Sequence, residues 1–123
     1  MHKGLHYLAS PYSSPDATTR HLRFIAACRA AAKLMQQGVV VFCPIAHSHP
    51  IGETMNGKAL DHGFWMAQDL PILAKCSRLV VLKLDGWGQS RGVHEEIGYA
   101  LAHGIPVEYM EPTGGPSAYP RAV

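Results

Sequence analysis

Apolar positions along the chain fall into short continuous runs separated by longer stretches of helical periodicity. Leu5-His6-Tyr7-Leu8-Ala9-Ser10 is the first run, closed by Pro11 and a Ser/Pro segment through Pro15, and reads as a buried strand. From Asp16 to Gln37 the spacing turns helical. Leu22, Ile25, Ala26, Cys28, Ala32, Leu34 and Met35 recur on it, with Asp16 as candidate cap and Gly38 as C-terminal stop. Val39 to Cys43 is continuous and β-branched, which predicts a strand covered on both faces, ended by Pro44. Ile45 to about Lys58 carries His47, His49, Pro50, Gly52 and Gly57 and is expected to be a long connection of the lid or binding-loop kind. Ala59 to Cys76 reads as helix, kinked or restarted at Pro71. Leu79 to Leu84 is a third buried strand, and Asp85-Gly86-Trp87-Gly88-Gln89 a glycine-rich turn. A helix from about Gly92 to His103 ends at Gly104, and Ile105 to Met110 is the last strand.

This β-α-β-α-β-α-β alternation predicts a single three-layer α/β domain. Its sheet is expected to be mostly parallel, with four to five strands in flavodoxin- or Rossmann-like order and helices on both faces. The domain is read over residues 1–110. Residues 111–123, with three prolines and two glycines, form a tail with little regular structure. Ligands of such sheets bind beyond the strand C-termini where strand order reverses. That rule points to Ser10–Ser14, Pro44–His49, Asp85–Arg91 and the start of the last helix.

Composition narrows the class. Apolar residues make up 47% of 123 and charged residues 16%, enough to bury one core. A formal charge of +2 is too mild to predict a nucleic-acid surface. No run approaches the ~18 apolar residues of a membrane helix, so no membrane partner is expected. Met1-His2-Lys3-Gly4 leads straight into the first strand without signal-peptide character. Cys28, Cys43 and Cys76 are odd in number, widely spaced and in apolar contexts, and read as reduced thiols of a cytoplasmic protein.

The most informative chemistry lies in Ser90-Arg91-Gly92-Val93-His94-Glu95-Glu96-Ile97-Gly98-Tyr99-Ala100, which crosses from loop to helix at the ligand edge. A helix start beside Ser90 and Gly92 offers N–H groups and a positive dipole end, suited to phosphate, while Ser90 serves equally well as a plain cap. At about 100° per residue, Val93, Ile97, Ala100, Leu101 and Gly104 form an apolar face. Glu95 falls almost opposite that face and is expected in water. Glu96 falls at its edge, partly buried near the strand ends, and is the better functional candidate. Asp69, before Leu70-Pro71, reads from position alone as the cap of a restarting helix. Asp85 beside Gly86 suits a turn or a ligand contact. His47 and His49 lack a third ligand, so substrate contact is expected of them and metal binding is not. Tyr7 and Tyr12 bracket the end of the first strand, and Trp87 either covers a core edge or stacks on a base. No phosphate-loop, dinucleotide or GxSxG motif is present, and Cys43 lacks a nucleophile signature.

With Tyr7-Leu8-Ala9-Ser10-Pro11-Tyr12, Gln68-Asp69-Leu70 and Ser90 through Ala100 in order, the sequence resembles the nucleoside 2-deoxyribosyltransferase superfamily. Within it, the sequence looks closest to a family of small, mostly uncharacterised bacterial and phage proteins. The resemblance implies that Glu96 is a nucleophile attacking C1′ of a deoxyribosyl group, that Tyr7 orients it, and that Asp69 handles the leaving-group proton. Transferases of the superfamily carry Asp-Asp-Gly where this chain has Ser90-Arg91-Gly92. That version resembles the deoxynucleoside 5′-monophosphate N-glycosidases, whose serine binds the phosphate, with Arg91 fitting an anion as well. The tail lacks the Asn and Met that transferases lend to a neighbouring site. Hydrolysis of a (deoxy)nucleoside 5′-monophosphate is therefore the expected activity. Base exchange and a non-catalytic nucleotide-binding module are the alternatives. No cofactor is implied. Ser10, Tyr12, His47, His49, Asp85, Gly86, Trp87, Ser90, Arg91 and Gly92 are the expected binding residues. A dimer or larger homo-oligomer is expected, with the tail around Tyr109 and Tyr119 available to close a neighbour's site.

Overall fold

The computed structural model describes residues 4–55 and 61–112. Four strands, β1 (Leu5–Ala9), β2 (Val40–Phe42), β3 (Arg78–Leu82) and β4 (Val107–Met110), alternate with α1 (Ala17–Gln36), α2 (Pro44–Glu53), α3 (His62–Leu73) and α4 (Arg91–Ala102). A short 3-10 turn, Trp87–Gln89, precedes α4. All strand pairs are parallel, in the order β2-β1-β3-β4, with Tyr7 opposite both Phe42 and Leu79. Strand order reverses at β1, which places the expected ligand edge above the tips of β1 and β3.

Alternation along β1 and β3 divides the core. Tyr7, Ala9, Leu79 and Val81 pack with Leu73 of α3 and with Val93 and Ala100 of α4. Leu8, Val80 and Leu82 face the other way, onto Ala26, Ala27, Ala30 and Ala31 of α1. The buried stripe of α1 is thus almost pure alanine, which permits close approach to the sheet, while Met35, expected on that face, is exposed. Asp16 caps α1 by accepting from the Thr19 N–H at 3.0 Å. At the other end Gly38 adopts φ +84, letting the Val39 N–H reach Leu34 O at 3.0 Å and the Gly38 N–H reach Met35 O at 3.0 Å.

Three local expectations give way. The segment from Ile45, read as a loop, begins with helix α2, and Lys58 and Ala59 lie outside the described residues. Pro44 opens the helix where its missing N–H costs nothing, and the Phe24 ring of α1 stacks on His49 at 4.2 Å. Packing on α1 thereby overrides the breakers Pro50 and Gly52. β2 is not covered on both faces: it ends the sheet order among the described residues, and Val40 is exposed. α3 runs through Pro71 without restarting, capped instead by Asp61, which accepts from the Phe64 N–H at 2.8 Å. Of the expected tail, Glu111 and Pro112 are described; Tyr119 lies outside the described residues. No helix among the described residues is long and apolar enough to cross a membrane.

Because Ala27 is fully buried between α1 and the sheet, Ala27→Leu is expected to destabilise the domain by about 1–3 kcal/mol through overpacking, measured by urea unfolding.

Candidate active site

A cleft of about 950 Å³ opens over the tips of β1 and β3, between α1 and α2 on one side and α3 and α4 on the other. Glu96 and Asp69 lie on its α3–α4 wall and are both buried. The buried residues of α4 are Val93, Glu96 and Ala100, at i, i+3 and i+7, which keeps Glu96 at the edge of the stripe, where it was expected, but 5% exposed and so more deeply buried than expected. Leu101, which periodicity put on that face, is 68% exposed. Beneath it, Tyr7 of β1 is fully buried and donates its hydroxyl to Glu96 Oε2.

Electrostatics in this wall follow from burial. Removal from water raises Glu96 to about 8; the Tyr7 hydrogen bond opposes the rise, and the negative neighbours Asp69 and Glu95 add to it. Asp69 is raised to about 6 by burial, with His47 acting against it. Tyr7 is pushed far above its usual range by burial and by Glu96, so its proton stays on the phenol and the carboxylate remains the acceptor. Two carboxyls with unequal, elevated proton affinities in one cleft can divide the roles of nucleophile and proton carrier. The position of Asp69 inside α3 removes the capping role read from sequence. Burial holds the Cys43 thiol at about 11, protonated at neutral pH and unsuited to nucleophilic attack.

The opposite wall and the rim carry the other polar groups. Ser10, at the tip of β1, is 6% exposed, and its hydroxyl has no hydrogen-bond partner among the described residues. The Tyr12 hydroxyl meets His49 Nδ1 at 2.6 Å, and His49 Nε2 lies 3.5 Å from Glu53. Ser90 caps α4 by accepting from the Val93 N–H at 3.2 Å, which leaves its own hydroxyl hydrogen available to a ligand. The Arg91 side chain is 77% exposed and lies 3.9 Å from Glu95, which also meets His62 at 2.7 Å.

Among the expected residues, Ser10, Tyr12, His49, Gly86, Ser90, Arg91 and Gly92 line this cleft with Glu96 and Asp69, and Tyr7 lies under its floor. Three expected binding residues do not line it. His47 turns toward Phe42, 5.5 Å between rings, and borders a smaller cavity of about 160 Å³ behind Asp69. Trp87 packs on Tyr109 and the core edge, so covering the core is its role. Asp85 contributes its carbonyl to Arg23 at 3.3 Å. Arg20, Arg23, Trp65 and Met66 line the cleft and escaped the sequence reading. The signal for the arginines was their i, i+3 spacing in the opening turns of α1, directly after the ligand edge of β1.

The sequence matches, over residues 4–112, the family described as Domain of unknown function (DUF1937), and the chain belongs to it. A solved structure of the 2-deoxyribosyltransferase from the psychrotolerant bacterium Bacillus psychrosaccharolyticus is similar, with a TM-score of 0.61 and 23% identity, over 85% of this chain and 70% of that one. The two share a fold. No curated protein matches the sequence.

Burial of Glu96 makes stability depend on pH. A carboxyl whose folded pKa is raised from 4.5 to about 8 favours the fold while protonated, and that contribution is lost as pH climbs from below 4.5 through 8. Asp69 acts in the same sense up to about 6. The melting temperature of the wild type is therefore expected to fall between pH 5 and pH 8.5. Glu96→Gln should flatten that fall and be the more stable protein at pH 8.5, by roughly several kcal/mol. Calorimetric scans across this range check it.

Proposed function

We propose that the protein hydrolyses the N-glycosidic bond of a (deoxy)nucleoside 5′-monophosphate through a covalent glycosyl-enzyme on Glu96. The observation that carries this reading is the buried Glu96 carboxylate, held by the Tyr7 hydroxyl at the floor of a nucleotide-sized cleft, with Asp69 on the same wall. In the first step a Glu96 oxygen bonds to C1′ as the bond from C1′ to the base nitrogen breaks, and Asp69 gives its proton to the departing base. In the second step water attacks C1′, Asp69 takes the water proton, and Glu96 leaves with its electron pair. The products are the free base and a 5-phosphorylated sugar, with C1′ configuration retained by the double displacement. Tyr7 keeps the carboxylate oriented, and its hydrogen bond favours the ionised form that attacks. Ser90 and the opening N–H groups of α4 receive the phosphate.

Base exchange is the second reading, favoured by the fold shared with the Bacillus psychrosaccharolyticus 2-deoxyribosyltransferase. There a second base takes the place of water at C1′. The chain's parallel-sheet architecture serves either outcome, and the assay that separates them is the same. A homo-oligomer that closes the cleft from a neighbouring subunit also belongs to this proposal.

Incubation with the four deoxynucleoside monophosphates should release free base, followed by chromatography, and an added foreign base should not capture the sugar. Glu96→Ala should lose on the order of 10³-fold or more in rate, and Tyr7→Phe roughly 10–100-fold. Glu96 must be ionised and Asp69 protonated in the first step, so activity should follow a bell, highest between pH values of about 6 and about 8 and falling on either side. Asp69→Asn should lower the rate and abolish the alkaline fall, because Asn has no proton to give; Tyr7→Phe, which removes the hydrogen bond favouring the ionised carboxyl, should move the alkaline fall to higher pH. Absence of both base release and exchange, with nucleotide still bound, would leave a binding module and overturn the enzymatic reading.

A further inference from the structure

The carboxyls Glu96 and Asp69 occupy the α3–α4 wall of the cleft, and Arg20 and Arg23 project from the opening turns of α1. Arg20 is committed to the β1–α1 loop, donating to the Ser14 carbonyl at 2.5 Å and interacting with the Tyr12 hydroxyl. Arg23 is placed differently. Its guanidinium donates to the Ser13 carbonyl at 3.0 Å and to the Asp85 carbonyl at 3.3 Å, so it bridges the loop after β1 and the turn after β3. Two of its five N–H donors serve these carbonyls. Gly86 lies directly against it at φ +90, and a Cβ at that position would come within 2.9 Å of the guanidinium. The backbone conformation demands glycine there, and a Cβ would push the guanidinium from its place. The same turn runs on through Gln89 to Ser90, so Arg23 and the start of α4 approach one region of the cleft from opposite faces of the sheet.

Two further observations bear on what fills that region. Arg91, the cation expected to meet a phosphate, lies at the rim of the cleft, 77% exposed and 3.9 Å from Glu95, whereas Arg23 is held in place by two backbone carbonyls. The Ser10 hydroxyl, buried in the same cleft, has no partner among the described residues and thus awaits a polar ligand atom. Partial burial disfavours the charge on the Arg23 guanidinium, and Asp85 opposes that effect.

We propose that Arg23 is the residue that makes the cleft selective for a phosphorylated nucleoside over the free nucleoside, meeting the phosphate from the α1 side while Ser90 and the start of α4 meet it from the other. This rests on the nucleotide reading above and adds the side chain that reads the charge. A guanidinium fixed by two backbone carbonyls is already oriented, so little side-chain freedom remains to be lost when a phosphate oxygen docks.

The experiment measures binding and turnover separately. In a Glu96→Gln background, calorimetry compares the four deoxynucleoside 5′-monophosphates with the matching free deoxynucleosides, with and without Arg23→Gln. Arg29→Gln, exposed on the same helix, is the control for an equal change in charge. Arg23→Gln should weaken the best monophosphate about tenfold or more and the free nucleoside by less than about twofold, and Arg29→Gln should leave the ratio unchanged. An equal loss for both ligands, no loss, or no monophosphate binding at all overturns the proposal. Base release by the Glu96-intact protein is scored in parallel. Release without phosphate dependence on Arg23 ends this proposal and spares the glycosidase reading, whereas Arg23-dependent binding without release does the reverse.

Discussion

A hydroxyl buried in the centre of a parallel sheet donates to a carboxylate buried at the edge of a helix stripe, and most of the site follows from that contact. Tyr7 is fully enclosed between β2 and β3, with its ring tilted against Phe42 at 6.1 Å. Its hydroxyl therefore has one fixed direction, toward α4, where Glu96 replaces what would otherwise be an apolar residue between Val93 and Ala100. An apolar side chain there would close the core and leave Tyr7 unpaired. The carboxylate instead leaves the core one polar group that opens to the cleft, at a cost in stability that increases as the group ionises. Placement of such a group in a folded core is the kind of local violation that marks functional sites.

The cleft around this pair is assembled from both layers of helices. The topological reversal at β1 sends α1 to one face and α3 and α4 to the other, so side chains reaching over the strand tips come from both layers of helices. Hydrogen bonds join the segments around those tips. Arg23 ties the loop after β1 to the turn after β3, and Tyr12 ties the same loop to α2 through His49. Under the proposed reading, the carboxyls stand where the sugar carbon would be attacked and the Arg23 guanidinium where the phosphate would lie. This polarity gives the proposed nucleotide one productive orientation.

Part of this architecture is legible in the sequence. Continuous runs at Leu5–Ala9 and Leu79–Leu82 announced strands buried on both faces, and Gly38 and Gly104 marked helix ends that adopt positive φ. The break at Ser90 ahead of an amphipathic segment located α4 and singled out Glu96. Segments whose state depends on neighbours were less legible. α2 contains Pro50, Gly52 and two histidines, and only its packing on α1 makes it a helix. Asp69 looked like a cap because the local signal of Leu70-Pro71 outweighed a helix already begun at His62.

What the chain determined alone was periodic: parallel α/β order, strand and helix ends, and an acidic residue near an apolar stripe at the ligand edge. These follow from side-chain spacing and backbone preference, which are local properties. Tertiary structure alone decided that Glu96 is almost fully enclosed, that Tyr7 is its donor, that Trp87 and His47 turn away, and that Arg23 crosses the strand tips. Each of those is a contact between residues distant in sequence, set by the direction in which the strands bring their ends together, and no local pattern encodes that direction.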